Sequence, residues 1–177
     1  MTATRIAPDP TTSTEALVST AWLLEHLDDP AIIVLEVDEH PEVYDIAHVP
    51  GAHRIDWNRD LVDPVRRDFV DHEQLGDLLG ALGVTEDSTI VLYGDQSNWW
   101  ATYAFWLLRL FDVPNVRVLD GGRDLWIVEQ RQTEQDEAPR PGGPRLRLPR
   151  RNDGTYRIYR DEVAAFAANA EGPLIDV

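Results

Sequence analysis

The chain has 177 residues, which is enough for one domain of roughly 120 to 150 residues with its own core, plus linkers and tails. Sixteen basic residues against 32 acidic ones give a net charge of −16, which argues against a broad surface for nucleic acid or anionic membrane. There are no cysteines, which excludes disulfides, thiolate metal sites and a cysteine nucleophile within these residues.

The N-terminal segment is rich in Thr, Pro and Ala and contains no apolar core of a signal peptide. This composition predicts a disordered leader over residues 1–16 and favours a cytoplasmic protein. No apolar run approaches the ~20 residues that cross a bilayer, so no membrane partner is expected.

The first elements are a short helix and a strand. Leucines recur on one face between Leu17 and Leu27, with Ser19 or Thr20 as the N-cap, which predicts an amphipathic helix. The apolar run Ala31 to Val37 is rich in β-branched residues and predicts a strand buried on both faces of a parallel sheet.

The next segment predicts a turn and a second helix. Glu42 to His48 suggests a helical turn, and the chain then leads into the short apolar segment Ile55 to Trp57. A helical period runs from Asp71 to Leu82, and Gly83 is expected to end it.

The middle of the chain has the pattern of a βαβ unit. Ser88 to Tyr93 predicts a buried strand that enters the polar loop Gly94 to Asn98. An apolar helix follows from Trp99 to Phe111, and Val116 to Leu119 predicts a third strand. We therefore expect an α/β fold with an open parallel sheet and helices on both faces, and ligands at the carboxyl ends of its strands.

The C-terminal part suggests a linker and then a repeat. Arg131 to Arg151 is rich in Pro, Gly and charge and predicts a linker. Ile158 to Val177 aligns without a gap with Val18 to Val37, at a constant offset of 140 residues. This predicts the start of an incomplete second repeat over residues 152–177, with chance similarity between two helix–strand units as the alternative.

Three ordered sequence blocks between about Leu17 and Trp126 resemble the rhodanese superfamily, and more closely its tandem thiosulfate and 3-mercaptopyruvate sulfurtransferases. The first is the strand Val34 to Val37 with Tyr44 and the string His48-Val49-Pro50-Gly51-Ala52. The second is the strand Ile90 to Tyr93. The third is Val116 to Gly122 followed by Trp126.

In active members of this family the strand ends in a cysteine, and backbone N–H groups of the following loop hold the thiolate and then the persulfide. Here the corresponding loop is Gly94, Asp95, Gln96, Ser97 and Asn98, so the resemblance implies no catalytic residue in this chain. Asp95 is expected to repel a sulfur anion. On that basis Gly94→Cys should restore little activity, and Gly94→Cys with Asp95→Arg should restore more.

The resemblance also implies partners. In tandem members the N-terminal copy commonly lacks the cysteine and packs against a C-terminal copy that has it, so the expected partner is a second rhodanese domain in the same protein or another copy. Thiosulfate and a thiophilic acceptor are expected for the complete protein, without a cofactor. The alternative is a stand-alone, cysteine-less rhodanese module that binds proteins or regulates them.

Trp99 and Trp100 are assigned to the interface with that second domain. They project about 100° apart on a helix, so one of them should face the loop or a partner. Arg109 and Arg123 could steer a sulfur anion or form ion pairs.

The remaining motif residues are assigned structural roles. His48 stands before Pro-Gly in a turn and is assigned a structural role. Asp120 with Gly121 and Gly122 offers a single carboxylate, which is a poor set of metal ligands, so no metal is expected. The structural set is His48, Pro50, Gly51, Asp120, Gly121, Gly122 and Trp126.

Overall fold

The computed structural model describes residues 16–66, 68–169 and 172–175. The predicted leader therefore lies, except for its last residue, outside the described residues. Within the described ranges no helix is both long enough and apolar enough to cross a membrane.

Five parallel strands form one sheet in the order β1-β7-β6-β2-β3. A separate antiparallel ribbon pairs β4 with β5. The strands are β1 Leu17–Val18, β2 Ile32–Val37, β3 His53–Ile55, β4 Val62–Asp63, β5 Asp68–Phe69, β6 Thr89–Tyr93 and β7 Val116–Leu119.

The helices are α1 Thr20–His26, α2 Trp57–Asp60, α3 His72–Ala81, α4 Trp99–Leu110, α5 Gly122–Val128, α6 Asp153–Tyr156 and α7 Arg160–Asn169. Short 3-10 turns cover Pro41–Val43 and Gln96–Asn98. The expected α/β fold with a parallel sheet is confirmed.

Alternation along the central strands divides the core into two layers. Leu35 and Leu92 belong to the cluster that includes residues of α3 and α4. Val34 and Val91 belong to the other cluster, which includes Trp126 of α5 and residues of α1. Because successive side chains of a strand point to opposite faces, residue 36 of β2 projects toward the α1/α5 layer.

The start of the first helix differs from the sequence prediction, and the apolar segment Ile55 to Trp57 is divided between two elements. Leu17 and Val18 form the edge strand β1 and pair with β7, and α1 begins only at Thr20, with the Ser19 hydroxyl accepting the Trp22 N–H. Within the short apolar segment Ile55 to Trp57, Ile55 ends β3 and Trp57 begins α2, because the Asp56 side chain caps that helix. In both places a local cap or a distant strand overrides the apolar pattern.

The segment 131–157, here called the strap, is packed along the domain. Glu134 exchanges backbone hydrogen bonds with His48, the Leu146 N–H donates to Gly76 O at 3.0 Å, and the Trp106 indole donates to Tyr156 O at 3.0 Å. Pro and Gly therefore shape a docked irregular segment, while its role as a linker between two domains stays a prediction.

The tail contains one helix, α7. At the offset of 140, α7 lies where α1 predicts a helix, and none of the residues of α7 is buried. Residues 173–175 form no strand. A strand needs a neighbour to satisfy its backbone groups, so the second repeat stays a prediction.

Candidate functional site

The loop Gly94–Asn98 leaves β6 at the carboxyl edge of the sheet and enters α4. Three successive non-glycine residues adopt left-handed backbone angles, with φ of 46° at Gln96, 57° at Ser97 and 67° at Asn98. Each left-handed residue costs about 1–2 kcal/mol. Such a loop persists only where surrounding contacts impose its shape.

The Asn98 side chain fills the inside of this loop. Its Oδ1 accepts the Gly94 N–H at 3.0 Å, and its Nδ2 donates to Leu119 O at 2.8 Å at the end of β7. Asn98 is buried. The Asn98 carboxamide therefore connects the ends of β6 and β7. It also occupies the Gly94 N–H, which would otherwise be free to bind an anion.

A second backbone N–H of the loop is also occupied. The Asp95 N–H donates to Asp38 Oδ1 at 2.7 Å, and the Glu39 N–H donates to Asp95 Oδ1 at 2.8 Å. This reciprocal pair joins the loop to the end of β2. The Asp95 carboxylate is thus bonded to backbone and does not point freely into an anion site.

Gly94 itself has no room for a side chain. A Cβ at this position would lie 2.1 Å from Val37 O and 3.0 Å from the Val37 carbonyl carbon. Because the obstacle is backbone of the central strand, it cannot move aside cheaply. This contact argues against the expectation that Gly94→Cys with Asp95→Arg restores more activity than Gly94→Cys alone, since the present loop has no room for a cysteine side chain.

Beneath the loop lies a buried cluster of ionisable groups. Glu36 is fully buried and accepts a short hydrogen bond from the Tyr93 hydroxyl. It also forms an ion pair with Arg123, whose Nη1 lies 2.5 Å from Glu36 Oε1. Arg123 also donates to Val43 O at 2.9 Å, and the Tyr93 hydroxyl accepts the Val49 N–H at 2.9 Å. The cluster thus connects β2, β6 and α5.

Burial, followed by the nearby Asp38 carboxylate, raises the pKa of Glu36 to about 9. Burial also raises the pKa of Asp38, and burial together with Glu36 raises the pKa of Tyr93 well above its usual value. The burial that disfavours an ionised carboxyl here also disfavours an added anion such as thiosulfate.

The two tryptophans assigned to an interface have different surroundings. Trp99 is 69% exposed. Trp100 is half-buried, stacks on Trp57 with ring centroids 3.7 Å apart, and meets Tyr103 edge-on. Trp99 is therefore the one that projects from the domain, while its interface role stays a prediction.

The structural motif residues lie on both sides of the loop. His48 is buried, stacks on Tyr44 and bonds to Tyr44 O through Nδ1, and half-buried Pro50 leads into Gly51, whose φ is +72°. Beyond β7, exposed Asp120 donates its N–H to Val18 O at 2.8 Å.

The glycines after Asp120 explain the Gly-Gly of the motif. Gly121 is the N-cap residue of α5, and its φ is +78°. At Gly122 a Cβ would lie 2.4 Å from Asn98 Oδ1, so a side chain there would displace the Asn98 plug. Trp126 is buried and donates to Gln132 O of the strap at 2.9 Å.

Sequence reasoning missed Glu36 and Asp38 as members of this site. It included Asn98 in the loop, but not as the side chain that fills it. A carboxylate at position 36 within an apolar strand was the available signal, since charged residues are seldom buried without partners. Arg123 was considered, and the ion-paired alternative is the one that the structure shows. Arg109 lies in the last turn of α4. No cluster of potential metal ligands occurs among the described residues.

An open cleft of about 630 Å³ lies away from the loop, beside the strap. Ile46, Gly51 and strap residues 133–139 line it, and several of these carry carboxylates. None of the loop residues lines this cleft, so it does not add to the candidate site.

Comparison with known proteins matches residues 19–129 to the family described as "Rhodanese-like domain". The chain is 46% identical over 166 residues to the "Sulfur carrier protein TtuD" of Thermus thermophilus, covering 92% of this chain and 58% of that protein. It is 44% identical over 163 residues to the "Putative thiosulfate sulfurtransferase SseA" of Mycobacterium leprae, covering 92% of this chain and 54% of that protein.

The chain thus spans little more than half the length of these relatives. Among solved structures, SseA from Escherichia coli, described with the 3-mercaptopyruvate sulfotransferases, superposes with a TM-score of 0.71 at 23% identity. That superposition covers 88% of this chain and 62% of the other, and it shows a shared fold. With the family match over residues 19–129, the loop after β6 and the Gly-Gly turn before α5, this chain belongs to the rhodanese-like family.

Proposed function

We propose that this chain is the non-catalytic rhodanese domain of a thiosulfate sulfurtransferase, in which a second domain holds the cysteine that carries the persulfide. The observation that supports the proposal is that backbone N–H groups of the loop 94–98 are already hydrogen-bonded within the domain. The Gly94 and Asp95 N–H groups are taken by Asn98 and Asp38, and no cysteine is present. The names of the relatives support thiosulfate as the donor.

In this proposal the chain contributes a surface and not a nucleophile. Sulfane sulfur transfer needs a thiolate to attack the donor sulfur. Trp99 projects beside the filled loop, and a large aromatic in that position would pack against the second domain near its active site. The chain would thereby help to close that site from water.

The first test is a thiosulfate:cyanide assay on the purified 177-residue chain. We expect no thiocyanate above the rate without enzyme, and no heat of thiosulfate binding by calorimetry, because the loop amides are occupied and the site is acidic. Thiocyanate formation by this chain would contradict the proposal.

The second test concerns the partner domain. Intact-mass measurement on the protein isolated from its native source should give a mass above that of these 177 residues, with a cysteine that thiosulfate converts to a persulfide. In that protein Trp99→Ala should lower kcat/KM, whereas the exposed Val65→Ala should not. A native protein that ends at residue 177 would favour the stand-alone binding module instead.

A further inference from the structure

The carboxyl groups of Glu36, in β2, and Asp38, directly after β2, lie on one face of the sheet beneath the loop. Glu36 and Asp38 are two residues apart, so they point the same way, and their exposed fractions are 0% and 1%. Burial raises the pKa of both carboxyls, and each carboxyl also shifts the pKa of the other. Two such groups cannot both be ionised at low cost in a buried site.

The charged groups around Glu36 and Asp38 do not neutralise the two negative charges that both carboxyls would carry if they were ionised. Arg123 pairs with Glu36. Tyr93 and Tyr44 are neutral neighbours whose pKa values are raised by burial and, to a smaller extent, by Glu36. Asp95 adds a further negative charge beside Asp38. Arg54 faces the same region from β3, but it pairs with Asp45 at 3.1 Å. One cation therefore faces three carboxyls.

The hydrogen bonds around the two carboxyls indicate which oxygen lacks a donor. The Tyr93 hydroxyl accepts from Val49, so its own proton is directed to Glu36. Asp38 Oδ1 accepts the Asp95 N–H, but Asp38 Oδ2 is buried and has no partner of standard geometry among the described residues. A lone buried acceptor is costly, and a proton shared with Glu36 would supply its partner.

We propose that Glu36 and Asp38 share one proton in the folded protein, and that this proton holds the loop 94–98 closed against the end of β2. When the proton is lost to solvent, two buried carboxylates repel each other. Asp38 lies at the strand end, so it moves away first and releases the Asp95 N–H. The left-handed loop then loses a contact that imposes its shape, and Trp99 becomes mobile.

The test is an NMR titration of the whole chain from roughly pH 6 to pH 10, with ¹³C-labelled carboxyl groups and ¹⁵N-labelled amides. We expect the Glu36 carboxyl to titrate with its midpoint near 9. The amides of Glu39 and Asp95 should shift with the same midpoint, since both belong to the reciprocal pair. Tyr93 should not titrate in this range, because its pKa lies higher still.

Two variants separate the shared proton from general alkaline effects. Glu36→Gln cannot lose a proton, so the amide shifts of Glu39 and Asp95 at alkaline pH should disappear. Glu86→Gln, at an exposed turn position, should leave them unchanged. If both carboxyls are already ionised at neutral pH, or if the loop amides do not follow Glu36, the proposal is wrong. The titration of the unaltered chain decides this even if Glu36→Gln fails to fold.

Discussion

At the scale of single residues, Asn98 is the group on which the loop depends. Asn98→Ala removes the acceptor of the Gly94 N–H and the donor to Leu119 O. Leaving buried backbone groups unpaired costs about 1–3 kcal/mol, so we expect the free energy of unfolding to fall by about that amount. Urea denaturation measures it. Asn58→Ala, at an exposed helix position, is the control, and an equal loss in both variants would contradict the role of Asn98.

Gly94 gives a second prediction at this scale. Because a Cβ there would meet Val37 O at 2.1 Å, Gly94→Ala and Gly94→Cys should each destabilise the fold by about 1–3 kcal/mol, as overpacking does. Neither Gly94→Cys nor its combination with Asp95→Arg should form thiocyanate from thiosulfate and cyanide. Activity in the double variant would show that the loop can open to seat a thiol. Melting temperature and the cyanide assay on the same samples check both parts.

At the scale of elements, α3 and the strap depend on two glycines. A Cβ at Gly80 would lie 2.2 Å from Pro144 O, and one at Gly76 would lie 2.3 Å from Leu146 O. In a solvent-exposed helix, Gly→Ala stabilises by about 1 kcal/mol. Here the strap backbone occupies that space, so the sign should reverse.

We therefore expect Gly80→Ala to lower the free energy of unfolding by about 1–3 kcal/mol and to raise hydrogen exchange in the strap. Gly154→Ala in α6 is the matched control, since its Cβ would meet only Asn152 Oδ1 at 3.9 Å. That variant should be neutral or slightly stabilising. A stabilising Gly80→Ala would mean that the strap is not held on α3 in solution.

At the scale of the whole molecule, the buried Glu36 should make stability depend on pH. Its pKa is raised from 4.5 to about 9, so between these values the folded state holds a proton that the unfolded state has lost. The unfolded state then binds fewer protons, and stability falls as pH rises through that window by about 1.4 kcal/mol per pH unit from this group.

Chemical denaturation of the unaltered chain and of Glu36→Gln at several pH values isolates this contribution. The difference in unfolding free energy between the two should move in favour of the glutamine variant as pH rises from about 5 to about 9. Glu86→Gln should show no such trend. A difference that does not change with pH would mean that Glu36 is ionised in the folded protein.

The sequence by itself determined the parallel sheet and the lack of a cysteine nucleophile within these residues. Apart from Glu36 and Thr89, the runs Ile32–Val37 and Thr89–Tyr93 are apolar. Because this pattern lacks polar alternation, it predicts burial on both faces and hence a parallel sheet. The lack of cysteine likewise excluded a persulfide, because no other side chain supplies a soft nucleophile near neutral pH.

Only the tertiary structure decided what fills the loop. Asn98 and Leu119, or Asp38 and Asp95, are far apart in the chain and meet because parallel strands bring their carboxyl ends to one edge. The same holds for Glu36 and Arg123, and for Gly94 against Val37 O. The local sequence pattern predicts which face of a strand or helix is buried. Hydrogen-bond partners and close backbone contacts depend on the distances between strands, which a short segment of sequence does not determine.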